Sequence, residues 1–113
     1  MKENIEMYSN PIKVLHNAKK IYGDDVEIDY STRNDKKYMI RNPNNNKWIH
    51  FGAYGMEDYT KHKNKKRRES FLSRNHKWAD LPLYSAGFMS FHILWWLVKF
   101  KRLVKFKRCL SYP

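Results

Sequence analysis

The residues of this chain best suited to acid–base or metal chemistry are its five histidines: His16, His50, His62, His76 and His92. A histidine that activates water beside a bound metal ion is typical of one class of nuclease. His50 and His76, with Asn75 next to the latter, partly resemble that arrangement, but no compact set of carboxylates accompanies them. Zinc ligands usually come in pairs about three to five residues apart, and no two of these histidines are so close. Cys109 is the only cysteine and has no partner for a disulfide or a zinc pair.

Glycine-rich phosphate-binding chemistry is also poorly supported. The four glycines lie at positions 23, 52, 55 and 87, too scattered for a phosphate-binding loop. We therefore predict no catalytic residue, no metal site and no cofactor, and we interpret the histidines as polar surface or buried structural residues. The alternative, a nuclease, ranks below the binding functions described next.

Charge is distributed very unevenly along the chain. Residues 1–60 contain nine Lys/Arg and nine Asp/Glu, whereas residues 61–113 contain fourteen Lys/Arg against only Glu69 and Asp80, so the second half accounts for the net charge of +12. Three of the four tryptophans lie in this half as well. The pattern predicts a partner that offers negative charge and apolar contact: nucleic acid, an acidic protein surface or an anionic membrane.

The candidate partner-binding residues follow from that pattern, although a run of charge is also typical of a solvated helix face. The candidate cations are Lys61, Lys63, Lys65, Lys66, Arg67, Arg68, Arg74, Lys99, Lys101, Arg102, Lys105, Lys107 and Arg108. A helix that is apolar on nearly all sides has more apolar surface than so small a domain can cover, so some of its aromatic side chains are expected to face a partner. The candidate aromatic anchors are Phe88, Phe91, Trp95, Trp96 and Phe100.

The elements that position these residues begin with a helix over 11–22. Asn10 is a good N-cap, Pro11 suits the first helical position, and Gly23 suits the position after the end. The predicted core-facing stripe recurs at three- and four-residue spacing and consists of Ile12, Leu15, Ala18, Ile21 and Tyr22.

A small antiparallel sheet is predicted over 26–51. Apolar and acidic residues alternate over 26–30, which is the two-residue period of a half-exposed strand. The segments 37–41 and 47–51 flank the turn-forming run 42–46 and predict a hairpin.

Two further helices are predicted near 60–75 and 86–104. Asp58 or Thr60 would cap the first, and Ser85 would cap the second. Residues 81–98 form a stretch of eighteen without Asp, Glu, Lys or Arg, at the lower limit for crossing a bilayer. We favour a helix buried in the core, because only about 20 Å of helix fits between Ala86 and Lys99. A helix lying in a membrane interface and a true span remain as alternatives.

The chain ends in a doubled hexapeptide, Leu-Val-Lys-Phe-Lys-Arg, at 97–102 and 103–108. Its alternation suits a strand, and it also continues an apolar helical stripe to about Val104. The predicted architecture is therefore α+β: an N-terminal helix, a small antiparallel sheet and two C-terminal helices in one domain over 1–96, followed by a basic amphipathic tail over 97–113.

Part of the chain resembles a small uncharacterised protein family of large DNA viruses of eukaryotes. The resemblance rests on an ordered set of short motifs: His50-Phe51-Gly52, Asp58-Tyr59-Thr60 with His62-Lys63, Arg67-Arg68, Arg74 with His76, Ser85-Ala86-Gly87-Phe88 with Ser90, and Leu94-Trp95. Asn75 separates an Arg-His pair that is more usually adjacent in that family, and the doubled tail lies outside the pattern. The resemblance implies a virus-encoded protein without an established catalytic role.

Together, composition and resemblance predict a non-enzymatic virion structural component, most concretely a minor capsid protein that docks through its basic, aromatic C-terminal half. The expected partners are viral capsid proteins, with nucleic acid and the inner membrane surface as further possibilities. The expected location is the virion, and the host cell cytoplasm or nucleus during assembly. The alternative is a packaged nucleic-acid-binding protein.

Overall fold

The computed structural model describes residues 4–96, in which a three-stranded sheet packs against helices. The elements are α1 (Pro11–Tyr22), β1 (Ile28–Tyr30), β2 (Lys36–Asn42), β3 (Lys47–Ala53), α2 (Tyr59–His62), α3 (Lys65–Arg74) and α4 (Ala86–Met89). Helix α4 continues directly into a π-helix, Ser90–Trp96, and we call the two together the 86–96 helix. Single 3-10 turns lie at Ile5–Met7 and His76–Asp80. The predicted α+β class is confirmed. The predicted tail 97–113, and the helix beyond residue 96, lie outside the described residues.

Helix α1 has the predicted bounds because its caps act as expected. Asn10 Oδ1 accepts a hydrogen bond from Lys13 N at 3.2 Å, and Gly23 ends the helix with a φ of 99° while its N–H donates to Lys19 O at 2.8 Å. In this left-handed region a residue with a Cβ is strained, so glycine is the natural choice.

The predicted core-facing stripe of α1 was right for Ala18, Ile21 and Tyr22 and wrong for Ile12 and Leu15. Ile12 is 82% exposed and Leu15 is 41% exposed, whereas the helix buries Val14, Ala18 and Ile21. The buried face includes a polar residue, since the Asn17 amide donates to Ile93 O at 3.0 Å. The face of α1 that is turned to the core therefore includes Val14, Asn17, Ala18 and Ile21. The polar Asn17 made this face hard to recognise in the sequence.

The sheet is antiparallel in the order β1-β2-β3, with β2 in the centre. Tyr38 on β2 pairs with Phe51 on β3 and with Tyr30 on β1. The hairpin joining β2 to β3 has the predicted position. Its turn is closed by Asn46, which has a φ of 62° and donates its N–H to Asn42 O at 2.7 Å.

The core lies between one sheet face, α1 and the 86–96 helix. Buried side chains come from all three: Val14, Ala18, Ile21, Tyr38, Ile40, Phe51, Phe88, Met89, Ile93 and Leu94. The predicted cap is present, since Ser85 Oγ accepts a hydrogen bond from Phe88 N at 3.3 Å. The 86–96 helix thus packs in the core, as the favoured interpretation predicted. Within residues 4–96 no helix combines the length and the apolar character that crossing a membrane requires.

The predicted single helix over 60–75 was wrong, because the chain forms two helices there. Lys63 adopts a left-handed φ of 55° and ends α2. Asn64 then starts α3, its side-chain oxygen accepting a hydrogen bond from Arg67 N at 3.1 Å. The left-handed Lys63 and the cap at Asn64 therefore separate α2 from α3.

Candidate functional site

A buried ion pair fixes the start of α2 to the sheet. Lys37 on β2 reaches Asp58, with 2.9 Å between Nζ and Oδ2, and the two side chains are only 2% and 1% exposed. Burial lowers the pKa of the Lys37 ammonium, while the Asp58 carboxylate acts in the opposite direction. Asp58 also caps α2, as predicted, accepting from Thr60 N at 3.0 Å.

The carboxylate of Asp58 is the end of a directed hydrogen-bond chain. The Thr60 hydroxyl donates its single proton to Asp58 Oδ1. Ser9 must therefore be the donor in the 3.2 Å hydrogen bond between Ser9 Oγ and Thr60 Oγ1. Tyr38 in turn donates its hydroxyl proton to Ser9 Oγ at 2.7 Å. Because this buried network is satisfied throughout, it holds the N-terminal segment, the sheet and α2 in one arrangement.

Helix α3 is held against the 86–96 helix by an aromatic stack and an arginine. The rings of Phe71 and Trp95 are nearly parallel, 4° apart, with centroids separated by 4.3 Å. Arg68 donates Nε–H to Trp95 O at 3.0 Å, and its guanidinium lies 5.2 Å from the centroid of the Tyr59 ring. Arg68 was predicted to bind a partner, but its contacts are within the protein.

The remaining predicted cations of this region lie on the protein surface. Arg67 is paired with Glu57, with 3.0 Å between Nη1 and Oε1. The other exposed cations form what we call the basic surface: Lys61, Lys63, Lys65, Lys66 and Arg74. Three cations occupy the first turn of α3 and no acidic residue does. This placement is unfavourable against the helix dipole, and an anionic partner would relieve it.

The predicted aromatic anchors differ in how far they are buried, and two of them have side chains outside those described. Phe88 is 7% exposed and Phe91 is 3% exposed, so both face the protein's own interior and a partner cannot reach them in this fold. Trp95 is half-buried under Phe71. The prediction for Trp96 concerns a side chain outside those described, and Phe100 and the six tail cations from Lys99 to Arg108 lie outside residues 4–96.

Between α3, the sheet and the 86–96 helix lies an open cleft of about 480 Å³, which we call the α3 cleft. Lys66 and Arg74 of the basic surface line it from α3. Lys36 lines it from β2, and the Phe71–Trp95 stack forms part of its wall. Its volume lies within the range of about 300–1,000 Å³ that is usual for ligand sites.

The histidines do not converge on a metal site. Within residues 4–96, no three His, Cys, Asp or Glu side chains are grouped where they could hold a metal ion. His50 Nδ1 lies 2.7 Å from Ser31 Oγ, and His76 Nδ1 lies 3.1 Å from Ser73 O. His92 packs against Phe88 with ring centroids 4.2 Å apart, and burial lowers its pKa, against a hydrogen bond from Nε2 to Ala79 O that raises it.

Sequence reasoning missed several residues that organise this region. Lys36, Lys37 and Glu57 carried no local pattern, because their roles depend on contacts with residues distant in sequence. Phe71 was expected only as an anchor for its helix, and its stacking on Trp95 was not anticipated. The one available signal was Asn64, whose position three residues before Arg67 is typical of a helix cap.

Comparison with known proteins gives one similarity. Residues 26–75 match a family of unknown function, DUF5754. That range contains the three strands, both members of the Lys37–Asp58 pair, and α2 and α3. Neither the curated proteins nor the solved structures include a match.

Proposed function

We propose that this protein is a non-enzymatic structural component of a virion, a minor capsid protein that docks on an acidic capsid subunit through the basic surface. The observation that carries the proposal is the exposed group of cations around α3, on a frame fixed by a buried polar network. The resemblance to a family of large DNA viruses supplies the virion context. The protein would enter the virion during assembly in the host cytoplasm or nucleus.

The basic surface supports docking because its charges are neither paired nor buried. Among the described residues, Lys61, Lys63, Lys65 and Lys66 form no ion pair. Complementary charge steers association and suppresses wrong partners, while apolar contact supplies most of the affinity. The Phe71–Trp95 wall beside the basic surface offers such contact.

A second candidate is a packaged nucleic-acid-binding protein. The specific observation in its favour is the cluster of cations in the first turn of α3, which would suit phosphates. An anionic inner membrane surface would be attracted by the same charges.

Charge neutralisation at two sites tests the proposal. The docking variant carries Lys61→Gln, Lys63→Gln and Lys65→Gln, and the control carries Lys13→Gln, Lys19→Gln and Lys47→Gln. All six lysines are exposed, and each variant loses three positive charges. We expect incorporation into virions to fall at least tenfold for the docking variant only.

DNA binding by the same two variants separates the candidates. If phosphates were the partner, the salt dependence of DNA binding would flatten by about one log-log unit for each lost contact in the docking variant. Sequence-selective, salt-resistant DNA binding by the unmodified protein would replace the capsid proposal with the second candidate.

A further inference from the structure

The α3 cleft combines positive charge with an apolar wall. Three cations on its rim, Lys36, Lys66 and Arg74, form no ion pair among the described residues, and the fourth, Arg67, is paired with Glu57. The buried Lys37–Asp58 pair beneath adds no net charge when both members are ionised. The lining therefore carries three uncompensated positive charges beside its single paired carboxylate.

The interior of the cleft suits an apolar side chain better than a nucleic acid base. Its accessible apolar wall includes Trp95 and Phe71, whereas Leu94 beside them is only 1% exposed. A platform for single-stranded nucleic acid needs open aromatic faces on which bases stack. Here the faces of Phe71 and Trp95 are turned toward each other at 4.3 Å, and the His62 ring also lies against Trp95, with centroids 5.2 Å apart. The protein's own packing thus already uses these rings.

The cleft also contains an example of the group that its cations can bind. Glu57 Oε1 lies 3.0 Å from Arg67 Nη1, so a carboxylate already pairs with a guanidinium at this rim. Lys66 and Arg74 are eight residues apart on α3, which corresponds to about 12 Å along the helix axis. An extended peptide rises about 3.3 Å per residue, so two carboxylates four residues apart span a similar distance.

We propose that the α3 cleft binds an acidic, extended peptide segment of the partner protein. An apolar side chain of that segment enters the cleft against the Phe71–Trp95 stack, and flanking carboxylates pair with Lys36, Lys66 and Arg74. This inference rests on the proposed docking function, for which it names the class of ligand. Apolar anchoring gives affinity, and the rim charges give register and orientation.

Peptide binding to the full chain is the direct test. The probe is a fluorescein-labelled synthetic peptide in which a leucine is flanked on both sides by glutamates. Control peptides replace every glutamate with glutamine, or the leucine with serine. We expect both control peptides to bind at least tenfold more weakly, because each lacks one of the two features that the cleft recognises.

Two matched variants locate the site. Lys66→Gln with Arg74→Gln removes two rim charges, whereas Lys47→Gln with Lys77→Gln removes two exposed charges that neither line the cleft nor belong to the basic surface. We expect the first pair to weaken peptide binding at least tenfold and the second pair less than threefold. Ser70→Trp fills the cleft without changing charge, and we expect a similar tenfold loss, with circular dichroism checking that the variant is folded.

Four results would overturn the cleft as an acidic-peptide site. The first is equal loss in the two charge variants, and the second is unchanged peptide binding in Ser70→Trp. The third is tighter binding of oligo(dT) than of the peptide, lost on Ser70→Trp, which would assign the cleft to nucleic acid. Virion incorporation of Ser70→Trp at the normal ratio would also overturn the cleft proposal, yet leave docking through the basic surface intact. Absence of the unmodified protein from virions would instead overturn the docking function.

Discussion

Lys37 and Asp58 are 21 residues apart in sequence and form an ion pair, 2.9 Å from Nζ to Oδ2, that is almost wholly removed from solvent. The pair connects the central strand to the start of α2, and so sets the position of the helices that carry the basic surface. Because the pair is buried, removing one of its charges would leave the other without a counter-charge away from water, which destabilises the folded protein.

Removing the charge of Asp58 should therefore destabilise the protein strongly. Asp58→Asn keeps the shape of the side chain and leaves the Lys37 ammonium buried without a counter-charge. We expect a loss of about 3–5 kcal/mol in the free energy of unfolding, measured by urea denaturation. The control is Asp35→Asn, which breaks an ion pair with Arg33 whose side chains are 55% and 64% exposed, and should cost less than about 1 kcal/mol. Similar losses in both variants would contradict a structural role for the buried pair.

Gly52 is predicted to be sensitive to substitution for two separate reasons. Its φ is 83°, and a Cβ built there would lie 2.9 Å from Leu94 Cδ1 and 3.4 Å from Lys37 Cβ. Gly55 has a similar φ of 99°, but a Cβ there would meet nothing within 4 Å. Gly55→Ala should therefore cost only the backbone strain, about 1 kcal/mol, and Gly52→Ala measurably more. Equal melting temperatures for the two variants would show that the close approach of β3 to the 86–96 helix is unimportant.

Trp95→Ala should act mainly on folding. The change removes the ring that stacks on Phe71 and so loosens α3 from the 86–96 helix. We expect a loss of about 3 kcal/mol, near the lower end for truncating a large aromatic residue, since Trp95 is only half-buried. Trp48→Ala, at a position 39% exposed, should cost well under about 1 kcal/mol. A Trp95→Ala variant with the stability of the unmodified protein would assign this ring to partner contact alone.

His92 should make stability depend on pH below neutrality. Burial lowers its pKa in the folded protein, whereas the unfolded chain titrates near pH 6.5. Between these two values the unfolded state binds more protons, so the free energy of unfolding falls as the pH falls below about 6.5. Burial and the nearby Arg67 lower the pKa of His62, which contributes with the same sign.

Comparing urea denaturation at pH 7 and pH 5 tests this dependence. We expect His92→Gln to lose less stability between the two pH values than the unmodified protein does. His16→Gln, the same substitution at an exposed position on α1, is the matched control. The assignment would fail if His92→Gln retained the full pH dependence.

The parts of the fold that could be predicted from sequence are those controlled by neighbouring residues. The caps at Asn10 and Gly23 predicted α1, and the run 42–46 predicted the hairpin turn. The break at Lys63 escaped prediction because lysine seldom adopts a left-handed conformation, and only the cap at Asn64 indicated a new helix. Wherever the structure depends on contacts distant in sequence, local patterns gave no guidance.

In the candidate site, too, the features controlled by neighbouring residues could be predicted, and those that depend on distant contacts could not. The sequence showed that residues 61–68 are basic, but it did not show which of these cations have partners within the protein. Arg67 forms an ion pair with Glu57, and Arg68 donates a hydrogen bond to Trp95 O. Phe88 and Phe91 were candidates for partner contact, because a helix so apolar was expected to turn some of its aromatic side chains toward a partner and the others toward the core. Both side chains are buried in the structure, so fewer aromatic residues are available to a partner than the composition suggested.

The amount of this protein in purified virions shows whether it docks on the capsid shell. Virions would be washed in high salt and treated with nuclease, and the molar ratio of this protein to the main capsid protein measured by mass spectrometry against labelled standards. We expect a fixed ratio that survives both treatments, because docking is on the protein shell. Absence of the protein from virions, or its release in proportion to the nucleic acid removed, would contradict it.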